Sequence, residues 1–150
     1  MQNENQNPNA QYQTLVVIWG ALLMSQFMFL VILFTTKPEL FSFDFSKPLL
    51  DGENSVLVIA VAVLGITTFL LSFVLKKKFL DQAVQTQNTA LVQTAMIIGC
   101  ALCEATTLFG LVLAFAAEYQ YFFAWFALGV LGIILHFPKR DDLFAASYKK

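Results

Sequence analysis

The residue in this chain most able to do chemistry is Glu104, a carboxylic acid inside a long apolar run. The run Ala95–Ala117 contains no other charged residue. An ionised carboxylate at the centre of a bilayer costs on the order of 2.5–3.5 kcal/mol even on lenient insertion scales. Such a residue therefore stays protonated, faces the interior of a helix bundle or binds an ion. Two interpretations stay open: Glu104 exchanges a proton or another ion, or it is a neutral hydrogen-bond anchor between helices.

Polar side chains on neighbouring apolar segments are candidate partners for Glu104, because helical rise converts sequence position into depth. Glu104 lies roughly 14 Å into its segment, and Gln26 lies roughly 16 Å into the first one. Thr67 and Thr68 lie roughly 11–12 Å into the second segment. Thr107 follows Glu104 by one helical turn on the same face. We therefore predict one polar layer and an ion-binding candidate site made of Glu104, Gln26, Thr67, Thr68 and Thr107.

Small residues surround Glu104 and recur on the other apolar segments. Glycine, alanine and cysteine at four-residue spacing let helices approach closely in lipid. Cys100 and Cys103 lie on one side of a helix whose backbone does not bring their sulfurs together. We therefore expect them to be packing residues rather than a disulfide or a metal site. The residues predicted to pack helices together are Gly99, Cys103, Ala105, Gly110, Gly129 and Gly132.

The elements that must position these residues follow from composition. Of the 150 residues, 58% are hydrophobic and 13% are charged, whereas a soluble domain has about 25% charged residues. A hydrocarbon core about 30 Å thick requires roughly 17–25 helical residues, and four apolar stretches reach that length. We predict an all-α integral membrane protein, a four-transmembrane-helix bundle. Its helices cover 15–34, 56–75, 95–117 and 121–137, with a disordered polar N-terminal tail at 1–14 and a cytoplasmic C-terminal tail at 138–150.

Positive charges predict the orientation of this bundle. With the N-terminus inside, the inner face carries seven lysines and arginines and the outer face two. The positive-inside rule then places both termini in the cytoplasm, and we expect a bacterial inner membrane. The exported loop alternates Phe41, Phe43 and Phe45 with polar residues, which places three rings on one face of an extended chain. The inner charges are Lys76, Lys77, Lys78, Lys139, Arg140, Lys149 and Lys150, and the outer ones Lys37 and Lys47.

The third apolar helix, AMIIGCALCEATTLFGLVLAF, resembles the carboxylate-bearing helix of rotary ATPase c-subunits, the proteolipids. The resemblance implies that Glu104 carries a proton or a sodium ion and that copies of the chain assemble into an oligomer. Ala105 stands where the sodium-binding pattern usually has a hydroxyl, so a proton is the expected ion. The chain lacks the family's glycine repeat and its Arg-Gln-Pro loop motif, and it has two additional helices. The matching features, centred on residues 95–115, are Ile98–Gly99, Ala101–Leu102, Glu104–Ala105 and Phe109–Val112.

Three functional hypotheses follow. A net charge of −1 does not support a nucleic-acid surface, and without a nucleophile–base pair or phosphate loop in the sequence we expect neither an enzyme nor a cofactor. The first hypothesis is a proteolipid-like homo-oligomer that links protonation of Glu104 to proton translocation or coupling. The second is an accessory or scaffold subunit of a larger membrane complex, and the third is a small transporter. The expected partners are the lipid bilayer, further copies of the chain or other membrane subunits.

Overall fold

The computed structural model describes residues 8–42, 44, 46, 48–50 and 54–147. Within these residues the chain is helical and contains no strand, so the predicted all-α character is confirmed. Predictions for Phe43, Phe45, Lys47 and residues 1–7 and 148–150 lie outside the described part of the chain. The helices are α1 (Pro8–Thr36), α2 (Ser55–Thr86), α3 (Thr89–Ala117), α4 (Phe123–Leu135) and α5 (Arg140–Ser147), with 3₁₀ turns at Pro38–Phe41 and Gln120–Phe122.

Three helices, α1, α2 and α3, are long and apolar enough to cross a membrane. They contain 29, 32 and 29 residues and extend beyond the apolar stretches of the sequence. α1 begins at Pro8, a residue that suits the first helical turn because it has no N–H to satisfy. α2 continues past Leu75 to Thr86. Hydropathy therefore locates the membrane crossing, whereas the helix itself continues into the polar flanks.

The fourth predicted span, 121–137, corresponds to the turn at Gln120–Phe122 and the short helix α4, and the chain bends after it. α4 has 13 residues, or about 20 Å of helix, which is shorter than a hydrocarbon core of about 30 Å. A bend of 47° separates it from α5, and Pro138 in this link lacks the N–H that a continuous helix needs. The described chain therefore has three membrane-spanning candidates, or four if α4 and α5 act as one bent span.

Short connections join α2 to α3 and α3 to α4. Gln87 ends α2 with φ 50°, and Glu118 ends α3 with φ 48°; left-handed residues commonly end helices in this way. Asn88 caps α3 by accepting a hydrogen bond from the Ala90 N–H. Lys37 Nζ lies 2.6 Å from Glu118 Oε1, and the hydrogen bond to this carboxylate raises the pKa of Lys37 above its ordinary value. The ends of α1 and α3 are thereby tied together.

α3 is the central helix and packs against α1, α2 and α4. α1 contributes a narrow fully buried stripe to the core, with Leu15, Gln26 and Leu33 buried, while apolar side chains such as Met24 and Met28 are more than half exposed, in the manner of a lipid-facing helix. The broader buried face of α3 repeats at three- and four-residue spacing. It consists of Val92, Ala95, Met96, Gly99, Cys100, Cys103, Thr106, Thr107, Gly110, Leu113 and Ala114.

Candidate functional site at Glu104

Glu104 lies on α3 at the contact with α1, where its side chain is half-buried. Ser25 on α1 donates a hydrogen bond from Oγ to Glu104 Oε1 at 2.6 Å. The same Oγ lies 2.7 Å from the backbone carbonyl oxygen of Leu22, a contact typical of serine within a helix. The backbone of α1 therefore holds the Ser25 hydroxyl in place beside the carboxyl group.

One hydroxyl hydrogen faces two acceptors in this arrangement. When Glu104 is ionised, Ser25 donates to the carboxylate. When Glu104 is protonated, its own O–H can donate to Ser25 Oγ, and Ser25 turns its hydrogen toward the Leu22 carbonyl. Rotation of the hydroxyl is the only change required, since a serine hydroxyl donates one hydrogen bond and accepts up to two. The geometry thus accommodates both protonation states of Glu104 without moving a helix.

Gln26 and Thr107, two of the predicted site residues, are fully buried. Gln26 Nε2 lies 3.5 Å from Ser25 Oγ, so Gln26 is connected to Glu104 through Ser25. In the described part of the chain, Gln26 Oε1 and Thr107 Oγ1 have no hydrogen-bond partner. Counted from the level of the Ser25–Glu104 contact, Gln26 lies one residue farther along its helix and Thr107 three residues farther. Helical rise therefore separates Gln26 and Thr107 by only about 3 Å in depth. Two buried oxygens without partners therefore lie close to the level of the carboxyl group.

The two threonines of α2 lie apart from Glu104. Thr68 Oγ1 is 3.2 Å from Thr106 Oγ1, and Thr106 points roughly 200° around α3 from Glu104 because successive helical residues are about 100° apart. Thr67 donates to the Val63 carbonyl at 2.6 Å and is exposed on α2. The single layer predicted from depth therefore separates into two polar clusters, one on the α1 side of α3 and one on its α2 side.

Neighbouring groups of the same chain occupy the space beside the glycines that were predicted to pack helices together. Ala105 is half-buried beside Glu104. Cys100 and Cys103 are buried thiols that form no disulfide, and the Cys103 thiol donates to Ser72 Oγ at 3.5 Å. The glycines and the groups that a Cβ atom there would meet are Gly99 with His136, Gly110 with Trp125, Gly129 with Thr107, and Gly132 with Cys103.

Sequence reasoning missed Ser25 and Thr106, which complete the two polar clusters. Serine and threonine hydroxyls satisfy themselves on backbone carbonyls of their own helix, so they interrupt an apolar run without an evident cost. Ser25 directly precedes Gln26, about 100° away around α1. A second polar residue directly beside a candidate residue is the sequence signal that would have identified Ser25.

His136 is a further buried polar group that sequence reasoning left unused, at the junction between α4 and α5. Its Nδ1 donates to the Gly132 carbonyl at 2.7 Å, and its ring lies 4.6 Å from that of Phe73 between centroids. Its backbone carbonyl accepts a hydrogen bond from Lys76 Nζ at 3.3 Å. These contacts fix the end of α4 against α2, so His136 has a structural role in joining the helices.

Over residues 8–42, 44, 46, 48–50 and 54–147, no group of three or more His, Cys, Asp or Glu side chains is arranged to hold a metal ion. The fold and the site define an all-helical membrane protein with a half-buried carboxyl group where two apolar helices meet. No protein-family model, curated protein or solved structure matches the chain. Functional inference therefore rests on the geometry around Glu104.

Proposed function

We propose that the chain is a small, proteolipid-like membrane protein in which protonation of Glu104 is linked to proton translocation or coupling. The observation that carries the proposal is the position of the Ser25 hydroxyl, 2.6 Å from Glu104 Oε1 and 2.7 Å from the Leu22 carbonyl oxygen. A carboxyl group that keeps one protonation state needs only one fixed partner. A hydroxyl with two alternative acceptors supports both states, which suits a group that takes up and releases a proton.

A cycle at this site needs no chemical step other than proton transfer. Uptake converts the carboxylate into a carboxylic acid and removes a charge that is unfavourable in lipid. Release leaves a carboxylate that accepts the Ser25 hydrogen bond, and such charge-assisted bonds are stronger than neutral ones.

The proposal includes an arrangement in the membrane. Residues 121–137 form the fourth span of a four-helix bundle, α5 belongs to the cytoplasmic tail, both termini are cytoplasmic, and the membrane is a bacterial inner membrane. Half-burial of Glu104 leaves part of its side chain facing away from the chain, where a second copy or another membrane subunit completes its surroundings. This supports an oligomer in lipid. The proposed function involves no catalysis, cofactor or nucleic acid.

The decisive variant is Glu104→Gln. The purified chain is reconstituted into vesicles, and proton flux under an imposed membrane potential is followed with a pH-sensitive dye. We expect flux with the wild-type chain and none with Glu104→Gln, because an amide does not exchange a proton in this way. Glu39→Gln, at an exposed carboxylate outside the spans, is the matched control and keeps the flux. Equal flux in wild type and Glu104→Gln contradicts the proposal.

Carbodiimide labelling provides a readout that does not depend on transport. A hydrophobic carbodiimide reacts with a protonated carboxyl group in apolar surroundings, so we expect label on Glu104 but not on Glu39, and less label as the pH rises. Ser25→Ala removes the hydroxyl that contacts this carboxyl group, so its labelling profile should differ from that of the wild type. Thr14→Ala, which removes a hydroxyl that donates to the Ala10 carbonyl of its own helix, should leave the profile unchanged. An unlabelled Glu104, or identical profiles for wild type and Ser25→Ala, counts against the proposal.

The alternative is an accessory or scaffold subunit in which Glu104 is a structural anchor. One observation favours it: the glycine contacts of α3 and α4 are filled within the chain, which gives a tightly packed body of the kind that presents fixed surfaces to partners. Under this alternative Glu104→Gln keeps its function, because an amide can still hydrogen-bond with Ser25. The chain then co-purifies with other membrane proteins at fixed stoichiometry. Mass determination of the native complex after mild extraction distinguishes this assembly from a homo-oligomer.

A further inference from the structure

α2 carries a shallow groove where its apolar stretch gives way to polar residues. The groove has a volume of about 610 Å³. Its lining residues recur three and four positions apart and therefore share one face of the helix. All of them are exposed. They are Val74, Lys77, Lys78, Asp81, Gln82 and Gln85.

Lys77 and Lys78 are the available cations of the three consecutive lysines. Lys76 is half-buried and donates a hydrogen bond to the carbonyl oxygen of His136 at 3.3 Å. Among the residues that the structure describes, ion pairs within 4 Å are formed only by Lys37, so Lys77 and Lys78 have no carboxylate partner there. Two such charges next to an apolar helix attract an external anion, which lipid phosphate supplies at this depth.

The chemistry of the groove changes with distance from the hydrocarbon. Val74, 62% exposed, belongs to the apolar part of α2. Lys77 and Lys78 follow roughly 5 Å farther along the helix axis, and Asp81 lies about another 5 Å beyond them. The headgroup region on each side of a bilayer is roughly 5–8 Å thick, so the lysines fall within it and Asp81 lies at its outer edge. Apolar, cationic and anionic groups thus follow one another outward.

A phospholipid presents complementary groups in the same order: acyl chain, phosphate and headgroup. We propose that this groove binds a phospholipid with a primary-amine headgroup, with the phosphate at Lys77 and Lys78 and the ammonium at Asp81. A primary ammonium donates hydrogen bonds to the Asp81 carboxylate and to the amide oxygen of Gln82 or Gln85. A choline headgroup has no N–H to donate, and a glycerol headgroup has no positive charge for Asp81. The proposal does not depend on proton exchange at Glu104.

Three lipids with identical acyl chains test the headgroup: phosphatidylethanolamine, phosphatidylcholine and phosphatidylglycerol. Each is titrated onto the purified full-length chain in detergent, and the bound fraction is measured by native mass spectrometry. We expect the wild-type chain to bind phosphatidylethanolamine roughly tenfold more tightly than phosphatidylcholine, the difference made by one charge-assisted hydrogen bond.

Variants of the groove assign the contacts. The double variant Lys77→Gln, Lys78→Gln should weaken binding of all three lipids by roughly tenfold or more, because both contacts to phosphate are removed. Asp81→Asn should remove the preference for phosphatidylethanolamine over phosphatidylcholine. Lys139→Gln is the matched control: Lys139 is exposed and near Lys76, but it does not line the groove. Its affinities should equal those of the wild type.

Three results would overturn the proposal. The first is equal affinity of the wild type for phosphatidylethanolamine and phosphatidylcholine. The second is tightest binding of phosphatidylglycerol with no effect of Asp81→Asn, which indicates attraction by surface charge alone. The third is a loss in Lys139→Gln as large as in the double variant. If a variant loses helicity, a photoactivatable phosphatidylethanolamine on the unmodified chain replaces it: label within residues 74–85 supports the groove, and label elsewhere rejects it.

Discussion

The helices of this protein meet along two different kinds of seam. The packed seam, between α3 and α4, consists of glycines in close contact with groups on the facing helix, as where Gly129 meets Thr107 and Gly132 meets Cys103. The α1 seam instead consists of separate polar contacts distributed along α1. They are Gln11 with Thr89 at 3.2 Å, Trp19 with the Ile133 carbonyl at 2.7 Å, Ser25 with Glu104 at 2.6 Å, and Lys37 with Glu118 at 2.6 Å.

The difference matters because lipid removes the hydrophobic drive between helices. Close packing and interhelical hydrogen bonds then decide how strongly helices associate. The packed seam depends on shape, so it tolerates little change in side-chain volume. The α1 seam depends on a few directional bonds, one of which ends on Glu104. α1 is therefore the helix whose association with the others responds to a change of charge at a single residue.

The largest expected effect is on the packed seam, through Gly129→Ala. A Cβ atom there would overlap Thr107 and lie 2.9 Å from the backbone carbonyl oxygen of Cys103, so the helices must separate. Overpacking of this kind destabilises by about 1–3 kcal/mol, measured by unfolding in detergent. Gly20→Ala on α1 is the control, because no atom lies within 4 Å of its added Cβ. Similar losses in both variants would show that the two seams do not differ in packing.

Trp19→Phe tests the α1 seam. Phenylalanine keeps an aromatic ring beside Phe137 but removes the indole N–H that donates to the Ile133 carbonyl. We expect a loss of about 1 kcal/mol in unfolding free energy, with α1 separating before α3 and α4. Phe27→Leu, on the exposed side of α1, should change little. Stability of Trp19→Phe equal to the wild type would mean that this bond does not hold α1.

A smaller effect is expected at the contact between α2 and α3, where Thr68 and Thr106 meet. Thr68→Val keeps the side-chain shape and removes the hydroxyl, and an interhelical hydrogen bond in a membrane contributes about 0.6 kcal/mol on average. Thr67→Val is a closely matched control, because that hydroxyl donates to the Val63 carbonyl within α2. The comparison uses unfolding of both variants under the same conditions. A greater loss in Thr67→Val would contradict the assignment of Thr68 to the interhelical contact.

The smallest effect concerns Lys37 and Glu118, an exposed end of the α1 seam. Because the hydrogen bond to Glu118 raises the pKa of Lys37, the pair stabilises the fold at pH values below the ordinary lysine pKa. This contribution is lost as the pH rises through the raised pKa of the folded protein. Lys37→Gln should therefore lower the melting temperature slightly at neutral pH and not at strongly alkaline pH. High salt should reduce the difference; a difference that grows with pH would refute the assignment.

The sequence predicted depth well and rotation poorly. Helical rise brought Gln26 and Glu104 to one level, and the structure connects them through Ser25. The same argument placed Thr68 with Glu104, whereas Thr68 contacts Thr106 on the other side of α3. Rise along a helix is a property of the backbone, but the direction of a side chain about the axis depends on which neighbour packs where. That information is in the tertiary contacts.

The ends of the helices show the same difference between what the sequence predicts and what it does not. Apolar runs located α1, α2 and α3, because a membrane crossing requires a long stretch without charge. They did not locate the start of α1 at Pro8 or the end of α2 at Thr86, because the glutamine, lysine and alanine residues of these flanks are good helix formers outside lipid as well. The fourth apolar run ends at Phe137, close to the end of α4 at Leu135, because Pro138 cannot continue a helix. The contact of His136 with Lys76, 60 residues away in the sequence, could not be read from this local pattern.

The chain has two tryptophans, and the structure places one on each seam. Trp19 donates to Ile133 across the α1 seam, whereas Trp125 contacts Gly65 and Gly110 on the packed side. The unlabelled protein therefore contains two intrinsic fluorophores, each of which reports on a different seam. In Trp19→Phe only Trp125 emits, and subtracting its spectrum from that of the wild type isolates Trp19. Trp19 fluorescence can then follow the detachment of α1 as the pH is varied, while Trp125 fluorescence records whether α3 and α4 stay together.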